Sequence, residues 1–270
     1  MFKTIGNTGV PVPVYGIMAA LGILACYILL KFTHKYRNGI DTIEYAYTGL
    51  WAGLGAFIVS HLFFAVAQHQ KVLYGVTHLT EIFSSMKTLL IFLNDIFGGM
   101  VFYGGLIGAC IGGYVYMKKN KLNIAQYTDT AVPCIPLFHA FGRAGCFLAG
   151  CCYGVESKFG IVYHYAVAES ANGVRRFPIQ LAEAVENIIL CIILFIVLKR
   201  AKKIPHGALL WIYGMTYPVM RFINEFFRGD YAERGYFGIL STSQWISIVI
   251  FGISCFMFFR ALHSACVLNP

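Results

Sequence analysis

The sequence predicts an all-α, polytopic integral membrane protein: a single transmembrane domain over residues 1–270, with about seven helices, the N-terminus outside and the C-terminus cytoplasmic. Three observations carry that expectation. Hydrophobic residues make up 58% of the chain and charged ones 12%, too little polar surface to clothe a water-soluble body of this size. Apolar stretches recur at the ~20 residues a helix needs to cross a bilayer. Lysine and arginine gather after alternate stretches, as the positive-inside bias requires.

The first stretch is Val12–Phe32. The preceding MFKTIGNTGVPVPV has one lysine and no apolar run before Pro11, so this stretch is expected to be a retained helix and not a cleaved signal peptide. Ile43–Ala67, Gly98–Met117, Ala131–Cys152, Pro178–Leu198, Gly207–Phe227 and Ile239–Phe259 follow, each near spanning length. Thr88–Phe97 is apolar but short, and is expected as a surface or re-entrant helix. Lys31, Lys35 and Arg37 follow the first stretch, Lys118, Lys119 and Lys121 the third, and Lys199, Arg200, Lys202 and Lys203 the fifth. Those ends are therefore cytoplasmic, and Gln68–Lys87 and Tyr153–Phe177 are outer loops. The net charge of +9 then belongs beside anionic lipid, with no nucleic acid partner.

Two arginines lie inside apolar stretches. A guanidinium in the hydrocarbon zone costs about 2.5–3.5 kcal/mol, so such residues face a protein interior or a wet cavity and pair with something negative. Arg143 is twelve residues past the inner end of its stretch, Arg221 fourteen past its own, and Tyr103 five from the outer end of the third. At about 1.5 Å per residue all three fall in the outer half of the bilayer. That depth points to one anion site facing the outer leaflet, where the abundant anion is a phospholipid headgroup. Tyr217, Arg221 and Glu225, spaced by four, share one helix face. They form either an internal ion pair or a phosphate site in which Tyr217 and Glu225 orient Arg221, whose planar fork suits phosphate. Gly104, Gly108 and Gly112 also share a face, which serves close helix packing or lets a ligand approach the backbone near Tyr103.

Around Arg143 the chain reads HAFGRAGCFLAGCCYG. His139 lies one turn before the arginine. Cys146, Cys151 and Cys152 follow it, and packing, a disulfide on the oxidising side, a metal site with His139 and a reactive thiol all stay open for them. LAGC at Leu148–Cys151 has the form of a lipoprotein cleavage box, but sits mid-chain with no signal peptide before it.

GGMVFYGGLIG, HAFGRAGCF, FPIQLAEAVEN and YGMTYPVMRFINEFFRGD, in that order, resemble the bacterial prolipoprotein diacylglyceryl transferase family, and the likeness extends from YGIMAALGI to LSTSQWISI. The resemblance implies an enzyme of the bacterial inner membrane. It would move the diacylglyceryl group of phosphatidylglycerol to the lipobox cysteine thiol of a prolipoprotein signal peptide and release glycerol phosphate. It implies substrate-binding roles for Arg143, Arg221, Gly104, Gly105, Tyr217 and Gln180, matches Glu225 as well, and requires no metal or other cofactor; Tyr103 and His139, which are not family residues, join Arg143, Arg221 and Glu225 as catalytic candidates because each could take the thiol proton. The partners implied are phosphatidylglycerol, prolipoprotein signal peptides and membrane lipid, and the chain is expected as a monomer. The chain departs from the family pattern at Tyr103, where the family has histidine, at Cys146, where it has asparagine, and at Cys151, where it has an acidic residue. Transfer of the same lipid fragment to another acceptor, and non-enzymatic phospholipid binding or transport, are the alternative readings.

Overall fold

Each of the seven apolar stretches folds as a helix in the computed structural model, which describes residues 3–4, 11–12, 14–33, 36, 41–99, 101–200, 204–231 and 234–268. Strands β1 (Lys3–Thr4) and β2 (Pro11–Val12) precede α1 (Val14–Thr33). Helices α2 (Thr42–Ala67), α3 (His69–Thr77), α4 (Leu79–Ile82), α5 (Met86–Phe97), α6 (Phe102–Lys119), α7 (Ile124–Ala131) and α8 (Cys134–Ala149) come next. Then follow β3 (Glu156–Val162), β4 (Arg175–Arg176), α9 (Ile179–Arg200), α10 (Ala208–Asn224), β5 (Tyr236–Phe237), β6 (Leu240–Ser241) and α11 (Thr242–Leu268). Among the described residues, five helical stretches are long and apolar enough to cross a membrane: Val14–Thr33, Ile43–Ala67, Ile124–Ala149, Ile179–Arg200 and Thr242–Ser264. The glycine-rich α6 and the 17-residue α10 are not among them.

Polarity is arranged as in a lipid solvent. Leu50 and Val66 are 68% and 73% exposed, whereas Glu183 and Asp230 are 3% and 2% exposed. Apolar side chains point outward, and charges are gathered where protein can satisfy them.

The chain divides into two compact units. In the unit Asp41–Ile124, α2 and α6 pack together through the glycine stripe. A Cβ at Gly108 would strike the Gly55 carbonyl, one at Gly112 the Trp51 carbonyl, and one at Gly104 would lie 2.8 Å from the Val59 carbonyl oxygen. The stripe therefore has the packing role. Small residues are used this way in membranes because lipid tails supply no hydrophobic force to draw helices together, so close backbone approach must do it. The short apolar segment before α6 is the amphipathic α5, whose Ser85 cap accepts from Thr88 N at 3.2 Å.

In the other unit, residues 1–40 with 125–270, α8 packs against α1 and α9, and α10 against α11 and α9. Gly22 of α1 faces Phe138 of α8, and Cys26 Sγ donates to the Cys134 carbonyl at 3.4 Å. Pro133 marks the break between α7 and α8. Gly150 (φ +72°) ends α8: its N–H donates to Phe147 O at 3.3 Å and Cys151 N–H to Cys146 O at 3.2 Å, the paired bonds of a Schellman turn. Asp129 of α7, fully buried, accepts from Gly207 N at 2.9 Å and Leu209 N at 3.1 Å and so satisfies the open N-terminus of α10. Ser241 and Gln244 form a reciprocal capping box on α11, with N···O distances of 3.2 and 3.0 Å.

The all-α expectation needs one amendment. The segment after α8 is not plain loop: β3 and β4 pair antiparallel, with a register shift between Glu156 and Ile161 opposite Arg176. Arg176 of β4 is buried, donates to Ser170 O at 2.6 Å and lies over the Tyr153 ring at 4.2 Å. Residues 153–155 also pair with the chain after α10, through Val155 N to Phe227 O at 3.0 Å and Gly229 N to Tyr153 O at 2.9 Å. The loop bearing the cysteines is thereby tied to the C-terminal end of α10.

Gly108→Ile should force α2 and α6 apart and destabilise the protein by about 1–3 kcal/mol or more, by analogy with overpacked cores. A thermal unfolding midpoint in detergent equal to that of the parent would show that the close helix approach is not a source of stability.

Candidate active site: a buried network of arginines and carboxylates

Helix α9 is apolar between a polar start, where Gln180, Glu183 and Asn187 are 1–3% exposed, and its last two residues, Lys199 and Arg200. Spacings of three and four residues place them on one face, and α9 turns that face toward α8 and α10. Arg143 of α8 reaches Glu183 Oε2 from its Nε at 2.7 Å. Arg221 of α10 reaches Glu183 Oε1 at 3.4 Å through Nη1. Its Nη2 pairs with Glu225 Oε2 at 2.8 Å and donates to Ser243 Oγ at 3.1 Å. The two arginines thus converge on opposite oxygens of one carboxylate.

The network continues past α10. Arg234 Nη1 pairs with Glu225 Oε1 at 2.5 Å, and its Nε with Asp230 Oδ1 at 3.2 Å. Arg228 pairs with both oxygens of Asp230, the Nε–Oδ1 distance being 3.0 Å. Burial disfavours the charge on Arg228, but its hydrogen bonds to the Asp230 carboxylate outweigh that and raise its pKa above the usual guanidinium value. Among the described residues, four guanidinium groups and three carboxylates are joined by these ion pairs, leaving one surplus positive charge. Glu186 stands beside the network and accepts from Asn224 Nδ2 at 2.5 Å. The Arg143 Nε and Glu183 Oε2 contact is close but lacks hydrogen-bond alignment, and both Glu225 oxygens are likewise held by charge alone. Groups so placed can turn toward a ligand without surrendering a well-aligned bond.

Arg143, Arg221 and Glu225 therefore come together as the sequence leads one to expect, and the Arg221–Glu225 ion pair forms as well. Tyr217 lies one turn before Arg221, its ring stacked on Tyr213 with centroids 5.5 Å apart and tilted against His139 at 5.4 Å. Pro218 follows it inside α10. Gln180 is buried and spends its Nε2 on the Cys151 carbonyl at 2.8 Å, so it holds the cysteine loop in place. Gly104 and Gly105 belong to the other unit, as does Tyr103, whose side chain lies outside the described residues. Cys146, Cys151 and Cys152 bring their sulfurs within 4.8 Å of one another as free thiols, without His139.

Sequence reasoning missed the centre of the network. Glu183, Arg228, Asp230, Arg234 and Ser243 were not singled out, although FPIQLAEAVEN and FFRGD contain three of them, Glu183, Arg228 and Asp230. The available signal was the polar stripe of Gln180, Glu183 and Asn187 at helical spacing at the head of an otherwise apolar 22-residue helix.

A family profile described as prolipoprotein diacylglyceryl transferase matches residues 3–260. Proteins named phosphatidylglycerol–prolipoprotein diacylglyceryl transferase are similar along nearly their whole length. The one from Clostridium tetani is 35% identical over 248 residues, covering 90% of this chain and 91% of its own. One from Clostridium perfringens is 33% identical, covering 90% and 88%, and one from Helicobacter pylori is 31% identical, covering 91% and 87%.

Glu183→Ala leaves two guanidinium groups facing each other without their shared carboxylate, and should cost about 3–5 kcal/mol, the usual range for breaking a buried pair. Thermal or denaturant unfolding in detergent measures the loss. A variant as stable as the parent would show that the arginines do not depend on Glu183.

Proposed function

We infer, because the chain belongs to the prolipoprotein diacylglyceryl transferase family, that it transfers the diacylglyceryl group of phosphatidylglycerol to the cysteine thiol of prolipoproteins and releases glycerol phosphate. One observation supports placing that reaction at the network: Arg143 and Arg221 share Glu183 inside a buried cluster with a surplus positive charge. A phosphodiester entering between the two arginines supplies the missing negative charge. Their forked donors suit its oxygens, and in a water-poor site such donors act strongly on charge that grows during the reaction.

The chemistry follows from the bonds exchanged. The acceptor sulfur attacks the glyceryl carbon that carries the phosphate ester. A C–S bond forms, the C–O bond breaks, and its electron pair leaves on glycerol phosphate, where Arg143 and Arg221 stabilise the added charge. The attacking species is the thiolate, so the thiol proton must be taken up. His139, one turn before Arg143 and against Tyr217, is the group assigned to that task. Glu225, clamped between Arg221 and Arg234, is better suited to holding Arg221 than to accepting a proton. Gly104 and Gly105 are assigned to the lipid path on the family resemblance alone, and Tyr103 beside them on its position where the family has histidine. In this reading the chain is a monomer and a single transmembrane domain, crossing the bacterial inner membrane seven times with its N-terminus outside. The network then faces the outer leaflet, where secreted precursors present their signal peptides.

Arg143→Ala and Arg221→Ala should each lower transfer by about 10²–10³-fold, the usual loss for one electrostatic donor. The assay is thioether formation on a lipobox peptide by the full chain in phosphatidylglycerol membranes, and near-parental rates would remove the clamp. His139→Gln should slow transfer at neutral pH and recover toward the parent above pH ~8.5, where acceptor thiols ionise unaided. A deficit that is the same at every pH would deny His139 the proton.

A further inference from the structure

The cysteine loop beside the network has no part in the transfer chemistry derived above. Cys146 lies in the last turn of α8, and Cys151 and Cys152 directly follow its Gly150 cap. The chain doubles back there: Cys152 has φ +52°, a left-handed conformation that only one other described non-glycine residue adopts. Such strain costs a side-chain-bearing residue about 1–3 kcal/mol and gathers at ligand clamps. Its result is that three sulfurs from seven residues of chain converge within 4.8 Å.

The loop is also held rigid from outside. Gln180 Nε2 donates to the Cys151 carbonyl at 2.8 Å, Tyr163 OH to the Phe147 carbonyl at 3.0 Å, and Val167 N to the Ala149 carbonyl at 2.8 Å. Packing alone does not call for this. The chain's other described cysteines, such as Cys110, Cys191 and Cys255, stand outside the cluster.

We propose that Cys146, Cys151 and Cys152 form a three-thiolate site for a soft d¹⁰ cation, zinc(II) or copper(I). Thiolates without histidine or carboxylate select such ions over hard ones. Metal–sulfur bonds of about 2.3 Å set neighbouring sulfurs roughly 3.8 Å apart at a tetrahedral centre, so sulfurs within 4.8 Å need only small shifts to close on an ion. Three thiolates around a zinc or copper ion leave a net negative charge, and Arg143 and Arg228 lie close enough to interact electrostatically with Cys152. Those guanidinium groups favour the filled site. Each thiol loses its proton to solvent as the metal–sulfur bond forms. No electron is exchanged. Three protein ligands leave a fourth position open at a zinc ion, whereas a trigonal copper(I) site is complete.

The test does not depend on the transferase reading. The full chain, purified in detergent under reducing, metal-free conditions, is titrated with zinc(II) and, separately, with copper(I) against a competing chelator. The retained metal is then counted by mass spectrometry. About one ion of either metal per chain is expected, and the metal that survives competition tells the two apart. Cys152→Ser and Cys146→Ser should weaken retention by tenfold or more, while Cys255→Ser should not. Because a loop variant could misfold, cobalt(II) added to the parent chain gives a second readout: thiolate-to-cobalt charge-transfer absorption is expected. Absence of that absorption, retention no better than in Cys152→Ser, or recovery of a disulfide between two of the three cysteines from the reduced preparation would overturn the proposal.

Discussion

The carboxylate of Glu183 is the constraint on which the rest of this molecule turns. Two guanidinium groups from two helices share it, Arg143 at 2.7 Å and Arg221 at 3.4 Å, in surroundings that exclude water. Bringing like charges so close is tolerable only because the anion lies between them and because each arginine has further support: Arg221 from Glu225 and Ser243, and the whole cluster from Arg228, Asp230 and Arg234. Burying ions carries a desolvation penalty that attraction only partly repays. An assembly of this size is therefore poor evidence of a stability device and better evidence of a binding device.

The remaining structure of that unit can be understood as positioning. Asp129 closes the N-terminus of α10 and thereby sets where Arg221 comes to lie along that helix. The Schellman turn after α8 stops the helix six residues past Arg143 and sends the chain into the ribbon that packs over the end of α10. Strand pairing between residues 153–155 and 227–229 joins the segments that follow the two arginine-bearing helices. Backbone hydrogen bonds thus link the same two helices that the shared Glu183 carboxylate links.

How much of this was legible beforehand follows from what each signal depends on. Helices were legible because lipid demands apolar length, and that length survives without knowledge of any partner; the spacing of Gly104, Gly108 and Gly112 left helix packing and ligand approach both open, and the contact of α2 with α6 decides for packing. Arg143 and Arg221 stood out because a charge in an apolar stretch is anomalous. Glu183 is equally anomalous by charge, but it lies one turn into α9, close enough to a loop to pass for a surface residue. Arg228, Asp230 and Arg234 sit in a polar segment where charge is ordinary, and only the fold reveals that they are buried. The β3–β4 ribbon was hidden for a similar reason: its strand pairing spans residues that share no alternating pattern, and the buried Arg176 that anchors it looks in sequence like any loop cation.

Pro218 gives α10 a mechanical property of its own. A proline inside a helix has no N–H to offer the carbonyl four residues earlier, here that of Gly214, and its ring presses against that carbonyl. The hydrogen-bond ladder is interrupted one turn before Arg221, so stiffness is lowest just where the helix carries its charged tip. Arg221 thus follows directly on a gap in its own helix's backbone bonding, whereas no proline lies within a turn of Arg143 on α8.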